Sequence, residues 1–252
     1  MFTANVIVWV EGPTELIFYR HWLAQYFARQ SPEIEEGFHY TIMHYGGGLI
    51  SYLDVVDDQD LLRVSALYDL LSLCRHPVII VDSDFRVEPE KGKELTALKP
   101  SAKKIYDQVL RLNEERAGAA LFCYTGGREV ENYFPDDAIW HAVTQCWKGA
   151  VKHSDTLSGT PFKLGRYDAF HEAINTYLVD HGVVDQTSVA GESSKPAALG
   201  RTQWGASNKV EMTRMALGYQ KLSIGSMRWG FEVKLEKIAK FIIDRALTGR
   251  DV

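Results

Sequence analysis

The sequence has few cysteines, no long apolar run and no excess of positive charge, and each absence excludes a class of protein. Its three cysteines, Cys74, Cys123 and Cys146, include no CxxC pair. This spacing argues against a disulfide framework and a thiolate zinc site, and it fits a reducing compartment. No segment approaches the roughly 18 apolar residues that a membrane-spanning helix needs, and the first residues lack the basic start of a signal peptide. We therefore expect a cytoplasmic protein without membrane contact.

The charge balance is acidic, with 33 Asp and Glu residues against 28 Lys and Arg residues and a net charge of −5. Proteins that bind nucleic acid usually carry a basic surface, because they neutralise phosphates. Two interpretations remain. Either nucleic acid is not the substrate, or the acidic balance reflects a metal site together with a partner that supplies the basic surface.

The first half of the chain alternates two kinds of pattern. Apolar runs at residues 5–10, 38–45, 77–81 and 119–124 predict strands. Helical spacing of apolar residues predicts helices at 14–29, 60–74 and 101–115. Buried strands that alternate with helices of this length predict an α/β fold with a mostly parallel sheet flanked by helices.

The second half predicts helices only, at residues 136–147, 167–181, 209–217 and 231–247. Residues 185–208 are rich in Ser, Gly and Ala and predict a long loop, and loops of this length are often functional or disordered. The last helix is amphipathic, with Phe231 and Leu235 on one face and Lys234, Lys237 and Lys240 toward the other. We expect its apolar face to pack on the core, with subunit contact in a homo-oligomer as the alternative.

Acidic residues follow three of the predicted strands. Glu11 follows the first, Asp82 and Asp84 follow residues 77–81, and Glu129 and Glu131 follow residues 119–124. Active sites of open α/β sheets form at the carboxyl ends of strands. Because Asp82 and Asp84 are two residues apart, their side chains would point to the same side of an extended chain. Each acid alone would be read as a solvated loop residue or a helix cap. Together they predict a site for hard divalent cations, which offset the cost of clustered buried carboxylates.

Three segments resemble a known family. VWVEGPTE at residues 8–15 resembles the glutamate motif of the TOPRIM fold, and VIIVDSDF at residues 78–85 resembles its DxD motif. TGGREVENYF at residues 125–134 resembles the third segment of TOPRIM domains in the OLD (overcoming-lysogenisation-defect) nuclease family. The resemblance covers about residues 5–135. It implies a TOPRIM, Rossmann-like catalytic core over residues 1–135, followed by a helical C-terminal subdomain over residues 136–252.

The resemblance also assigns roles to individual residues. Glu11 would be a metal ligand and the general base, and Glu15, Asp82 and Asp84 would bind the metals, which are two Mg²⁺ or Mn²⁺ ions. Glu131 would be the acid of the third motif, with Glu129 as the alternative.

A weaker match, NKVE at residues 208–211, assigns Lys209 to transition-state stabilisation or leaving-group protonation. A solvated lysine is the alternative interpretation. Upstream, Lys195, Arg201 and Trp204 form a basic stretch with one aromatic ring. This stretch either binds nucleic acid, tracking a phosphate backbone and stacking a base, or is a mobile surface loop.

OLD proteins carry an ATPase on the same chain, whereas this sequence has no GxxxxGK[ST] phosphate loop. The resemblance therefore implies a stand-alone TOPRIM effector beside a separate ABC-type ATPase, as in two-gene, PARIS-like antiphage defence systems. The predicted function is a metal-dependent endonuclease that cleaves DNA or an RNA such as tRNA. The alternatives are a catalytically inactive TOPRIM subunit that senses or binds, and a primase-like transfer.

Overall fold

The structure is a computed structural model that describes residues 4–46, 74–146, 161–180, 197–198, 202–203 and 206–247. Within these residues, four strands form one sheet in the order β2-β1-β3-β4: β1 (Val6–Val10), β2 (Tyr40–His44), β3 (His76–Val81) and β4 (Leu121–Tyr124). All neighbouring strands of this sheet are parallel. The predicted α/β class with a parallel sheet is confirmed.

Helices follow the strands and fill the second half. They are α1 (Pro13–Gln30), α2 (Glu94–Ala97), α3 (Pro100–Glu115), α4 (Asp136–Cys146), α5 (Phe170–Asp180), α6 (Ala206–Leu217) and α7 (Phe231–Leu247). Pro13 and Pro100 open α1 and α3, where the missing N–H of proline costs nothing. A 3₁₀ helix (Val130–Tyr133) carries the third acidic segment. No helix in the described ranges has the length and apolar character needed to cross a membrane.

The two faces of the sheet are covered by different helices. Val8 and Ile80 belong to a core shared with α1 and with the helices of the second half, including α6 and α7. Ile79 and Val81 belong to a second core, packed mainly against α3. Successive side chains of a strand point to opposite faces, so continuous apolar strands can serve both cores. The predicted boundary at residue 135 remains a prediction, and the first core extends across it.

Some sequence predictions differ from the structure or fall outside it. All but the last residue of the predicted helix at residues 60–74, and most of the predicted loop at residues 185–208, lie outside the described residues. The second half is not purely helical, because Ala197–Ala198 (β5) pairs antiparallel with Thr202–Gln203 (β6). The helix predicted from residue 209 begins at Ala206.

The strand order places a change of direction at the middle of the sheet. From β1 the chain moves to β2 on one side, and it then returns past β1 to β3 and β4 on the other side. Where the connections from two neighbouring strands run in opposite directions, a crevice opens at the carboxyl ends of the two strands. Ligands of open α/β sheets bind in this crevice. The crevice of this sheet lies between the ends of β1 and β3.

Candidate active site

Two predicted acids flank this crevice. Glu11 directly follows β1 and Asp82 directly follows β3. The backbone N–H of Asp82 donates to Oε1 of Glu11, with 3.1 Å between nitrogen and oxygen. This bond fixes the Glu11 carboxylate across the mouth of the crevice.

The segment of residues 82–84, here the DSD segment, is fastened to the turn after β4. The N–H of Ser83 donates to Oγ1 of Thr125 at 2.8 Å, and Oγ of Ser83 donates to the carbonyl of Gly127 at 2.6 Å. The N–H of Asp84 donates to the carbonyl of Arg128 at 3.0 Å. Ser83 is buried, so these bonds are shielded from water. The second and third motifs thus form one rigid unit.

Asp84 does not continue the extended strand. Its φ of +54° lies in the left-handed region, which Asp tolerates better than most residues. The segment is therefore not extended at Asp84, as was predicted from the sequence, although both aspartates lie near Glu11 and Lys99. Asp82 is half-buried, whereas the side chain of Asp84 is 42% exposed.

Lys99, just before α3, lies between two of the predicted metal ligands. Its Nζ is 2.7 Å from Oδ2 of Asp84 and 3.4 Å from Oε1 of Glu11. Burial lowers the pKa of Lys99, but the carboxylates of Glu11 and Asp84 outweigh this effect and raise the pKa above its usual value. Lys99 is therefore a fixed cation within the site. Lys99 could not be identified from the sequence, because 88 residues separate it from Glu11 and no local pattern connects the two.

A second lysine serves the third motif. Nζ of Lys209, on α6, lies 2.7 Å from Oε2 of Glu129 and 3.2 Å from Oε1 of Glu131. Burial lowers the pKa of Lys209, and the two carboxylates outweigh burial and raise it. The interpretation of Lys209 as a solvated surface lysine is wrong, since its side chain is only 29% exposed and pairs with two acids. Both Glu129 and Glu131 reach this lysine, so the choice between them stays open.

Glu15 and Asp82 lie between the acids that pair with Lys99 and the acids that pair with Lys209. Burial, and then the Glu131 carboxylate, raises the pKa of Glu15 from 4.5 to about 7. Burial also raises the pKa of Asp82 well above its usual value, and the carboxylates of Glu15 and Glu11 raise it further. Burial is thus the main cause of both shifts, and the neighbouring carboxylates add to it.

Tyr45, which follows β2, is a further residue at this edge that the sequence analysis missed. Its hydroxyl is buried and has no hydrogen-bond partner among the described residues. Burial raises the pKa of Tyr45, and the charges of Glu11, Asp82 and Glu15 raise it further. The signal in the sequence was its place at the end of a strand, which the three acidic segments share.

The donors of this site fit a divalent metal ion in kind. Six carboxylates, the acidic cluster, meet at the edge with two lysines: Glu11, Glu15, Asp82, Asp84, Glu129 and Glu131. Oδ1 of Asp82 and Oε2 of Glu131 are buried and have no hydrogen-bond partner within the described ranges. Carboxylate oxygens are the ligands that Mg²⁺ and Mn²⁺ prefer.

The acids are not arranged as a ready-made coordination shell. In the part of the chain that the structure describes, no three His, Cys, Asp or Glu side chains form a group that could hold a metal ion as they stand. Lys99 and Lys209 each bridge a pair of acids instead. At Glu11, Asp84 and Glu129 a metal ion would therefore compete with these ammonium groups.

Three residues of the predicted nucleic-acid contact, Lys195, Arg201 and Trp204, lie outside the described residues. Comparison of the chain with protein-family models, with curated proteins and with solved structures found no match. The acidic cluster and the three motifs that supply it are therefore the features of this chain that point to a function.

Proposed function

We propose that this chain is a divalent-metal-dependent nuclease that hydrolyses phosphodiester bonds in DNA or in an RNA such as tRNA. The observation that carries the proposal is the meeting of acids from three separate segments at the β1–β3 crevice, with unpartnered oxygens on Asp82 and Glu131. A cluster of this kind is costly to keep in a fold unless it binds cations. The resemblance to TOPRIM nucleases supports the same function.

Glu11, Asp82 and Asp84 would hold one Mg²⁺ or Mn²⁺, and Glu15 with Glu131 or Glu129 would hold a second. Such ions activate water and stabilise charge on the leaving oxygen. Glu11 accepts a proton in this scheme: its carboxylate is oriented by the Asp82 N–H, and burial raises its pKa above the usual value.

Lys209 acts as a positive charge in this proposal. Because its two acidic partners raise its pKa, the ammonium keeps its proton at neutral pH. A cation that stays charged stabilises the negative charge of a pentavalent phosphate better than it protonates a leaving group. Of the two roles that the resemblance implies for Lys209, we therefore propose transition-state stabilisation and not protonation of the leaving group.

The setting is also part of the proposal. An effector in antiphage defence under the control of an ABC-type ATPase agrees with the net charge of −5, because the partner would supply basic surface.

The test is to incubate the chain, alone and with a candidate partner ATPase, with plasmid DNA and with tRNA in Mg²⁺ or Mn²⁺. We expect cleavage by the wild type and by Glu33→Ala, an exposed control, and none by Glu11→Ala or Asp82→Asn.

One observation favours a second candidate function, a TOPRIM subunit that senses or binds without cutting. Lysines already bridge two pairs of the acids, and the described acids form no ready-made metal group. This candidate would be supported if Glu11→Ala left the biological effect of the system unchanged. Cleavage lost in Glu11→Ala but retained in Glu33→Ala would exclude it.

A further inference from the structure

A separate cavity of about 320 Å³ lies beside the DSD segment. Phe85, which follows Asp84, forms part of its wall, together with Thr125 and Gly126 after β4. Thr125 is also the residue that fastens Ser83. The cavity therefore adjoins the candidate active site without including any member of the acidic cluster.

We propose that this cavity binds one nucleotide of a single-stranded nucleic acid, with the base against aromatic rings and a phosphate at Lys234. The proposal rests on the proposed nuclease function, since it supplies the neighbouring subsite for the same substrate. A nucleotide fits because it joins a planar ring to an anion, and the cavity presents the complement of both.

The aromatic part of the cavity comes from three elements. Tyr124, Tyr167 and Trp229 line it. The guanidinium carbon of Arg166 lies 5.1 Å from the ring centre of Tyr167 and 5.7 Å from that of Trp229. Flat aromatic and guanidinium surfaces bind bases of any sequence by stacking.

Two of these aromatic side chains carry a buried hydrogen-bond donor. Neither Nε1 of Trp229 nor the hydroxyl of Tyr167 has a hydrogen-bond partner among the residues described. A buried donor without a partner destabilises a fold, so such groups usually serve a ligand or water.

The charge of the cavity favours an anion. Lys234 is half-buried, and its Nζ lies 4.4 Å from the ring centre of Tyr124. No carboxylate of the described chain lies within ion-pair distance of it, whereas Arg166 pairs with Glu88 at 3.5 Å. Lys91 adds a cation to the rim, and Glu94 lines the cavity as well. Lys234 is therefore available to bind a phosphate.

The backbone fixes the position of the Trp229 ring. Its φ of +57° is rare for a bulky residue and is kept only where the surroundings enforce it. The carbonyl of Trp229 packs against Gly126 so closely that a Cβ at that glycine would lie 2.2 Å from it. The guanidinium carbon of Arg228 lies 5.5 Å from the Trp229 ring centre. The fold thus holds this ring at the cavity beside the DSD segment.

The test measures binding without catalysis. Fluorescence anisotropy of labelled octanucleotides, rA8 and dA8, is recorded with the full chain in EDTA over a range of salt concentrations. The variants are Trp229→Asn, Lys234→Met and Lys240→Met. Asn tolerates the left-handed backbone, so the first variant removes the ring without added strain. Lys240 is an exposed residue of the same helix as Lys234 and is the matched control.

We expect Trp229→Asn to weaken binding by about 5-fold or more, as loss of one stacked base does. Lys234→Met should lower the slope of log affinity against log salt by about 0.7, the value for one phosphate contact on a single strand. Lys240→Met should change neither quantity. A preference for rA8 or dA8 would identify the sugar.

Absence of binding by the wild type would overturn the proposal. So would binding by Trp229→Asn and Lys234→Met that is as tight as binding by the control Lys240→Met. Because binding is measured in EDTA, its outcome is independent of the nuclease proposal. If Trp229→Asn and Lys234→Met weaken binding as expected while the wild type cuts neither DNA nor RNA, the cavity stands and the nuclease proposal fails.

Discussion

Lys99 and Asp84 form an ion pair, with 2.7 Å between Nζ and Oδ2, at the position where a metal ligand is predicted. The same ammonium lies 3.4 Å from Oε1 of Glu11. A positive charge of the chain therefore balances two acids that the proposed function assigns to a metal ion. Metal and lysine would compete for the same oxygens.

Replacement of Lys99 should strengthen metal binding. In Lys99→Met the competing charge is gone, and we expect Mn²⁺ to bind about 10-fold more tightly, which corresponds to about 1.4 kcal/mol for one partly screened charge. Electron paramagnetic resonance of free Mn²⁺ measures the affinity directly. Lys93→Met is the control, since Lys93 is exposed and pairs with Glu90. Unchanged or weaker Mn²⁺ binding in Lys99→Met would contradict the competition.

The stability of the metal-free protein should fall as the pH rises through about 7. Glu15 has a pKa raised from 4.5 to about 7, so between these values the folded chain keeps a proton that the unfolded chain releases. The stabilising contribution of this proton is fully present below pH 4.5 and is lost as the pH rises through about 7.

Glu15→Gln is neutral at every pH and should remove this part of the pH dependence. We expect the variant to exceed the wild type by about 2–3 kcal/mol in free energy of unfolding at pH 8, measured by urea denaturation in EDTA. The difference should shrink toward pH 5. Some dependence will remain, because burial also raises the pKa of Asp82. Parallel pH curves for Glu15→Gln and the wild type would refute the assignment; exposed Glu33→Gln is the control.

Loss of Lys209 should destabilise the fold. Lys209→Met leaves Glu131 buried without its cation, and breaking such a buried pair costs about 3–5 kcal/mol. The double variant Lys209→Met/Glu131→Gln should recover part of this loss in a double-mutant cycle, since the unbalanced charge is removed. Neither the single nor the double variant should cleave nucleic acid. Arg214→Met on the same helix is the control, because Arg214 is exposed and pairs with the equally exposed Glu211. Full additivity of the two changes would contradict the pairing.

A methyl group at Gly126 should disrupt the turn after β4. Its Cβ would lie 2.2 Å from the Trp229 carbonyl, so Gly126→Ala forces the backbone apart. We expect a loss of about 1–3 kcal/mol, the usual cost of overpacking, with a lower midpoint of thermal unfolding. Gly225→Ala is the matched control, because nothing lies within 4 Å of a Cβ there. Equal midpoints for the two variants would show that the turn can yield.

The sequence was informative where chemistry follows local pattern. Apolar runs located β1, β3 and β4, and the acids directly after β1 and β3 were found from position alone. The parallel sheet followed because continuous apolar strands alternated with helices.

What the sequence could not reveal are contacts between distant segments. Lys99 lies 88 residues from Glu11, and its role depends on how α3 packs beside β1 and β3. The left-handed backbone at Asp84 accompanies a hydrogen bond to the Arg128 carbonyl, and no pattern around residue 84 predicts either. The cavity wall at Trp229 depends in the same way on its contact with Gly126.

The pairing of Glu129 with Lys209 spans 80 residues, and this separation has a consequence during synthesis. A ribosome delivers all six acids of the cluster long before it delivers residue 209. Until α6 is made and docks, Glu129 and Glu131 lack this cation, and the growing chain carries an unbalanced negative edge. A polypeptide released early would hold the acids without the charge proposed to stabilise the transition state. The proposed nuclease would thus be completed only after residue 209 has been made and α6 has docked.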